Sequence, residues 1–223
     1  MAKKRLDVLL FEKGLCPSRA RAKTAPMAVF VYIACQKAGK AGDMVDENAE
    51  LEVRGNENAF VSRGGKKIEK ALNYFNIDPT NLVVMDVGAS TGGFTDCLLR
   101  RGARKVYSID VGYGQLAWSL RQDPRVKCME RTNIRYVTPD MLEETPSFCV
   151  IDVSFISLKL VLPVVSSLLT EDGHVANLIK PQFEAGKGKV GKKGVVREPE
   201  IHLEVLQNYG ENAHAAGCKG LDV

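Results

Sequence analysis

The sequence predicts an α/β fold: a parallel sheet with helices on both faces, preceded by a small α+β module. Three observations carry this. From about residue 66 onward, apolar strand runs alternate with helical patterns, the order that builds a parallel sheet covered on both sides. The first 60 residues read differently, as helix, helix, then short strands. A glycine-rich turn, 88–93, directly follows the first strand of the alternating part.

In the first module, residues 4–14 read as a short helix with apolar Leu6, Val8, Leu9, Leu10 and Phe11, ended by Gly14. Ser18 is placed to cap a second helix through Arg19–Lys23. Strands are expected at Ala28–Ala34 and Ala49–Val53, and a linker at 54–58. The boundary falls at 60, leaving 61–223 as the second domain. There, helices are expected at Lys66–Phe75, Thr95–Arg101, Gln115–Arg121, Leu158–Leu169 and Glu200–Ala216. Strands are expected at Leu82–Val87, Val106–Val111, Phe148–Val153 and His174–Ile179, with one more beginning at Cys218–Val223.

The chain has 223 residues, 45% hydrophobic and 26% charged, so disordered and collagen-like classes are excluded. No apolar run reaches the roughly 20 residues of a membrane span, and the basic start is broken by Asp7 and Glu12, unlike a signal peptide. The six cysteines lack Cys-x-x-Cys spacing, which argues against a zinc site or a disulfide framework and for a reducing cytoplasmic setting. Net charge is only +4, but it is uneven. Residues 1–40 hold nine Lys/Arg against two acids, and 180–197 hold six against one. Such clusters suit a polyanion surface.

The chemistry begins at Asp86-Val87-Gly88-Ala89-Ser90-Thr91-Gly92-Gly93-Phe94. Glycines let backbone approach a ligand, and the helix that follows presents unpaired N–H groups. Asp110 lies 22 residues beyond Gly88, after the next strand, where an acid can accept hydrogen bonds from ribose hydroxyls. The turn lacks dinucleotide G-x-G-x-x-G spacing. Asp86, expected to face the ligand, disfavours a pyrophosphate and favours a cation such as the sulfonium of S-adenosylmethionine. Asp152 and Lys180 each follow an apolar strand run, which puts a carboxylate and an ammonium at the ligand-bearing edge. Phe94 and Trp118 read first as core, and the three histidines as surface or packing residues.

Several blocks together resemble the TlyA (haemolysin A-like) ribosomal RNA methyltransferases. They are Ser62-Arg63-Gly64-Gly65, Asp86–Asp96, Ile109-Asp110-Val111-Gly112, Ile151–Leu158 and Lys180-Pro181-Gln182-Phe183-Glu184-Ala185-Gly186. The resemblance implies an N-terminal S4-type RNA-binding module (1–60) and an FtsJ-like, Rossmann-like S-adenosylmethionine-dependent methyltransferase domain (61–223). It implies 2′-O-methylation of a cytidine in ribosomal RNA or a ribosomal subunit. The implied catalytic residues are Lys67, Asp152 and Lys180, with Lys180 as base or hydroxyl-polarising group. Lys66 stands where the family is usually apolar. The cofactor set is Asp86, Gly88, Ala89, Ser90, Thr91, Gly92, Gly93, Phe94, Asp110, Val111 and Asn133.

The family's catalytic glutamate belongs on a last strand beyond Val223, so the expectation is a fragment or an incomplete site. The RNA-facing cations are Arg5, Arg19, Lys23 and Arg63, although Pro26, Val29 and Ala34-Cys35 depart from the module's pattern. A non-catalytic RNA-binding protein is the alternative. A membrane-lysing role, suggested only by the family's label, meets a best apolar stretch, Phe155–Leu169, that carries Lys159 and reads as a packing helix.

Overall fold

The computed structural model describes residues 3–16, 19, 22–23, 30–33, 36–54, 60–186, 188–191 and 193–223. The chain forms two compact units, Met1–Ala59 and Phe60–Val223.

In the first unit, β1 (Lys3–Arg5) pairs antiparallel with β4 (Met44–Asp46), and α1 (Leu6–Glu12) follows β1 directly. A second sheet has the order β3 (Gln36–Lys37), β2 (Phe30–Ile33), β5 (Leu51–Arg54). Leu6, Leu9 and Leu10 of α1 pack with Val31 and Val45 in one small core. The helix begins at Leu6 rather than at residue 4 because Lys3–Arg5 are drawn into strand pairing. The two-residue strand β3 and the polar strand β1 are too short to show a periodicity. Arg19 and the pair 22–23 are helical, while Ser18, Pro26, Val29, Ala34, Cys35 and the linker beyond Arg54 lie outside the described residues.

The second unit is built on a five-stranded parallel sheet. Its strands are β6 (Val83–Val87), β7 (Lys105–Ile109), β8 (Val126–Met129), β9 (Phe148–Ile151) and β10 (His174–Asn177), in the order β10-β9-β6-β7-β8. Along β6, Val83, Met85 and Val87 point into one core with Leu158, Leu162 and Val165. Val84 points the other way, against Ile68, Leu72, Phe94 and Leu98. The first core is covered by α5 (Leu162–Leu168) and α7 (Pro199–Ala215), the second by α2 (Gly64–Tyr74), α3 (Gly93–Arg100) and α4 (Trp118–Arg121). A short helix, α6 (Pro181–Glu184), follows β10. The chain leaves β6 toward β7 and β8, then returns to β9 and β10 on the other side. That reversal opens a crevice at the carboxyl ends of β6 and β9, the standard ligand position of such sheets.

Three expectations change. The single helix over 158–169 is a 3-10 turn (Leu158–Leu160) followed by α5, because Pro163 cannot donate to the preceding turn and settles in the first turn of a new helix. Residues 218–223 form no strand. Trp118 is 66% exposed at the start of α4, not core. Strand β8 was not expected: it lies at the sheet edge, only partly buried, with Lys127 in its middle.

Asp86 is also corrected. It does not face a ligand: strand alternation turns it toward α3, where it is fully buried. Its Oδ2 accepts from Thr95 N (2.9 Å) and Thr95 Oγ1 (2.6 Å), which ties the third residue of α3 to the strand. Thr95 Oγ1 spends its proton there, so Ser108 Oγ, 2.7 Å away, donates to it. Oδ1 has no partner among the described residues. Burial pushes the carboxyl up to about 7, the Thr95 hydrogen bonds oppose the shift, and the charges of Asp152 and Asp110 add to it.

The folded state therefore keeps a proton that the unfolded chain releases near pH 4. This contribution falls as pH rises from about 4 to about 7, by on the order of a few kcal/mol, and is level above that. Asp86→Asn, which retains an acceptor for Thr95, is expected to flatten the fall. Urea unfolding of both proteins at several pH values between 5 and 8 checks this; parallel stability curves would contradict it.

Candidate active site

Every strand of the larger sheet ends at the same edge, so four segments far apart in sequence meet there. The turn 88–93 leaves β6 with Gly88 at φ +87°. A Cβ on Gly88 would stand 2.7 Å from the Asp152 carbonyl oxygen, so only glycine permits the turn to lie this close to the end of β9. Ser90 and Gly92 are also left-handed, at φ +50° and +93°, and Gly92 opens α3. Asp110, just past β7, holds the turn from the side. Its Oδ2 accepts from Ser90 N and its Oδ1 from Gly112 N, both at 2.7 Å. Each oxygen keeps a further lone pair for an incoming hydroxyl.

A cavity of about 490 Å³ opens against this turn. It is lined by Gly88, Ala89, Ser90, Thr91, Gly93 and Phe94 of the turn and the start of α3, by Ser62, Arg63, Gly64 and Lys67, and by Asp152. Phe94 is 5% exposed and belongs to the core as well as to the wall. Asp110, Val111 and Asn133 stand outside the lining, toward β7 and β8. Asn133 Oδ1 accepts from Arg135 N at 3.1 Å and caps the 3-10 turn Ile134–Tyr136, so its acceptor is a turn device. Val111 is 70% exposed.

Lys67, Asp152 and Lys180 come together. Lys67 Nζ donates to Asp152 Oδ2 at 3.1 Å. Lys180 Nζ lies 2.5 Å from Asp152 Oδ1 as an ion pair whose angles fall outside those of a hydrogen bond. Its aligned hydrogen bonds go to Val153 O (2.8 Å) and Ser154 Oγ (3.0 Å). The Asp152 and Lys180 side chains are under one-fifth exposed, whereas Lys67 is half exposed. A carboxylate held between two ammonium groups leaves the cluster with one net positive charge. Lys66 is exposed and lies outside the cavity wall, so the geometry selects Lys67. Glu184 does not join the cluster: Ser157 Oγ (2.6 Å) and Leu158 N (2.9 Å) donate to it, which staples the loop after β9 to α6.

Three contributors were not singled out from sequence. Phe155, in the loop after β9, is 92% exposed at φ +64°, an outlier for a bulky residue. Its ring lies 5.1 Å from that of Phe183, three residues beyond Lys180. Ser154 orients Lys180. Glu130, after β8, accepts from Gln115 N, Leu116 N and Arg121 Nη2 and so fixes the loop beside Asp110. Arg121 first, with the backbone N–H groups of Gly114 and Leu116, holds its carboxyl down at about 2. None of these shows in periodicity; only the position of Ser154 and Phe155 just past a strand end was a signal.

Of the RNA-facing candidates, Arg63 lines the cavity. Arg19 and Lys23 are exposed. Arg5 donates through Nε and Nη2 to the buried Asp7, both at 3.0 Å, so its charge is largely spent within the first unit.

Comparison with known proteins agrees with this geometry. The profile of FtsJ-like methyltransferases matches residues 60–223. A Bacillus subtilis (strain 168) protein, YqxC, provisionally named as an rRNA methyltransferase, is 52% identical over 98% of this chain and 79% of its own length. The Mycobacterium tuberculosis (strain ATCC 25618 / H37Rv) protein named 16S/23S rRNA (cytidine-2′-O)-methyltransferase TlyA is 43% identical over 98% of this chain and 82% of its own. A solved structure from Streptococcus thermophilus, provisionally named a hemolysin, superposes with a TM-score of 0.72 at 47% identity, covering 100% of this chain and 82% of that one. With its parallel sheet, glycine turn and Lys/Asp edge, the chain belongs to the FtsJ-like methyltransferase family.

Proposed function

We propose that the protein transfers a methyl group from S-adenosylmethionine to the ribose 2′-hydroxyl of a cytidine in ribosomal RNA. The observation that carries this reading is the Lys67–Asp152–Lys180 cluster beside the glycine turn. Two relatives bear rRNA methyltransferase names at 52% and 43% identity, and one of those names specifies cytidine 2′-O chemistry. An rRNA substrate places the work in the cytoplasm. No helix among the described residues is long and apolar enough to cross a membrane, so the lytic name of some relatives finds no such segment here.

The cavity suits the cofactor: its volume falls in the range of small-molecule sites, and Asp110 can accept from a nucleoside ribose. When bound, the cofactor supplies an electrophilic methyl on a sulfonium. The residues 88–93 shape the wall it lies against, and Asp110 keeps that wall in place while accepting ribose hydroxyls. Lys180 Nζ donates to Val153 O and Ser154 Oγ and lies against Asp152 as an ion pair, which holds it where it polarises the attacking hydroxyl; the hydroxyl proton leaves to water as the oxygen takes the methyl. Asp152 holds both ammonium groups in register. Lys67, the more exposed of the two, faces the negative charge that develops on the ribose oxygen. Alignment of the two substrates accounts for a large share of the acceleration, up to roughly 7–11 kcal/mol in favourable systems.

The RNA side is cationic and aromatic. Arg63 borders the cavity, and Phe155 offers an exposed ring face near Lys180 on which a base can stack. A strained, solvent-facing aromatic persists where function favours it. The first unit, with exposed Arg19 and Lys23, acts as an S4-type RNA-binding module in this reading.

Lys180→Ala is expected to lower methyl transfer by about 10²–10³-fold or more while leaving S-adenosylmethionine affinity within twofold. Tritium-methyl transfer to unmodified ribosomal subunits and calorimetry read the two quantities. Wild-type protein that binds rRNA without any transfer would overturn the enzymatic reading in favour of a non-catalytic one. Asp110→Ala should have the converse effect, weakening cofactor binding at least tenfold by calorimetry, through the lost acceptor and the released Ser90 turn. For Phe155→Ala, a stacked base predicts a rise in RNA KM of about fivefold or more; an unchanged KM would remove the ring from the RNA path.

A further inference from the structure

Helix α2 carries its charge against its own dipole. Its first turn holds no acid, Arg63 precedes it, and Lys66 and Lys67 lie within it. Cations there face the positive end of the helix dipole. Helices α3 and α7 are arranged the usual way, with Asp96 or Glu200 in the first turn and Arg100 or His214 in the last. Lys67 is compensated by Asp152. Lys66 and Lys70 are not: among the described residues neither has an ion-pair partner. The one acid between them, Glu69, lies against Arg101 at 4.0 Å.

These uncompensated groups form a line. Lys66, Lys70 and Tyr74 are spaced four residues apart on the exposed face of α2, opposite the buried Gly65, Ile68 and Leu72. Like charges at that spacing repel within a helix, so an anion outside it relieves both that repulsion and the dipole conflict. Tyr74 is 73% exposed, and its ring is braced edge-on by Phe75 at 5.0 Å. A depression of about 430 Å³ runs beside the line, bordered by Lys66, Glu69, Lys70, Asn73 and Tyr74. Lys66, on its border, is next in the helix to Lys67 and three residues from Arg63, both of which line the catalytic cavity.

We propose that this face of α2 is a track for single-stranded RNA leading away from the catalytic cleft, with Lys66 and Lys70 on successive phosphates and a base stacked on Tyr74. Phosphate contacts from lysines together with sequence-tolerant stacking on an aromatic ring are how proteins hold single strands. The inference rests on the RNA reading of the cleft. All three positions are solvent-facing, so their substitution leaves the core intact.

The test uses the full chain, protein-free rRNA and unmodified ribosomal subunits. Lys66→Ala/Lys70→Ala is expected to reduce the salt dependence of RNA binding (log Kd against log salt) by about 1.5 and to raise the RNA KM roughly tenfold, with kcat and S-adenosylmethionine affinity within twofold of wild type. Lys66→Arg/Lys70→Arg should restore both. Tyr74→Ala should raise the KM about fivefold while leaving the salt slope unchanged. A wild-type protein that methylates rRNA, beside a double variant with the same slope and KM, overturns the track and leaves the enzyme reading intact. If the wild type binds rRNA without methylating it and the variant loses slope, the enzyme reading falls and the track stands. A variant impaired on subunits but normal in binding protein-free rRNA would mean that this face meets a ribosomal protein, which also overturns the RNA assignment.

Discussion

The site depends on Asp152. Its carbonyl oxygen stands where a side chain on Gly88 would be, so the glycine turn and the end of β9 are packed backbone against backbone. Its carboxylate lies between Lys67 and Lys180. One residue thus sets the separation between the glycine-turn wall of the cavity and the two ammonium groups. A charge this enclosed persists only with partners, since an unpaired buried carboxylate is strongly disfavoured. The two lysines stabilise the aspartate as much as the aspartate positions them.

Topology does the rest of the assembly. A parallel sheet brings the carboxyl ends of all its strands to one edge, and the reversal of strand order between β6 and β9 leaves a crevice there. The residues that matter are therefore the first ones past each strand: Gly88, Asp110, Asp152 and, three residues beyond β10, Lys180. Second contacts make this edge rigid. Glu184 staples the loop carrying Ser154 and Phe155, and Glu130 pins the loop beside Asp110.

What could be read from sequence follows the same logic. Strands β6, β7, β9 and β10 are apolar runs with polar residues at their ends, so both the sheet and the Asp152/Lys180 pairing were visible in the order of residues. Lys67 was reached only by resemblance, because a lysine on a helix carries no mark of what it faces. Edge strand β8 is interrupted by Lys127 and shows no clean pattern. Phe155 was hidden because backbone strain and exposure are products of the folded loop. Asp86 was misplaced for a definite reason: its position before the turn was read as facing outward, whereas strand alternation sends it inward beside Val84.

Asp86 and Asp152 show how the fold assigns opposite fates to two acids on neighbouring strands. Asp152 follows its strand at the rim, where two ammonium groups converge on it. Asp86 sits one layer below, where among the described residues it meets only hydroxyl and amide donors, all on one oxygen, and no cation. Its carboxyl is driven toward neutrality, and the nearby charge of Asp152 pushes in the same direction. The buried acid is then best understood as a hydrogen-bonded strut that fixes the start of α3, and with it the angle at which the glycine turn faces the cluster. Electrostatics at the rim and hydrogen bonding in the core are in this way parts of one arrangement.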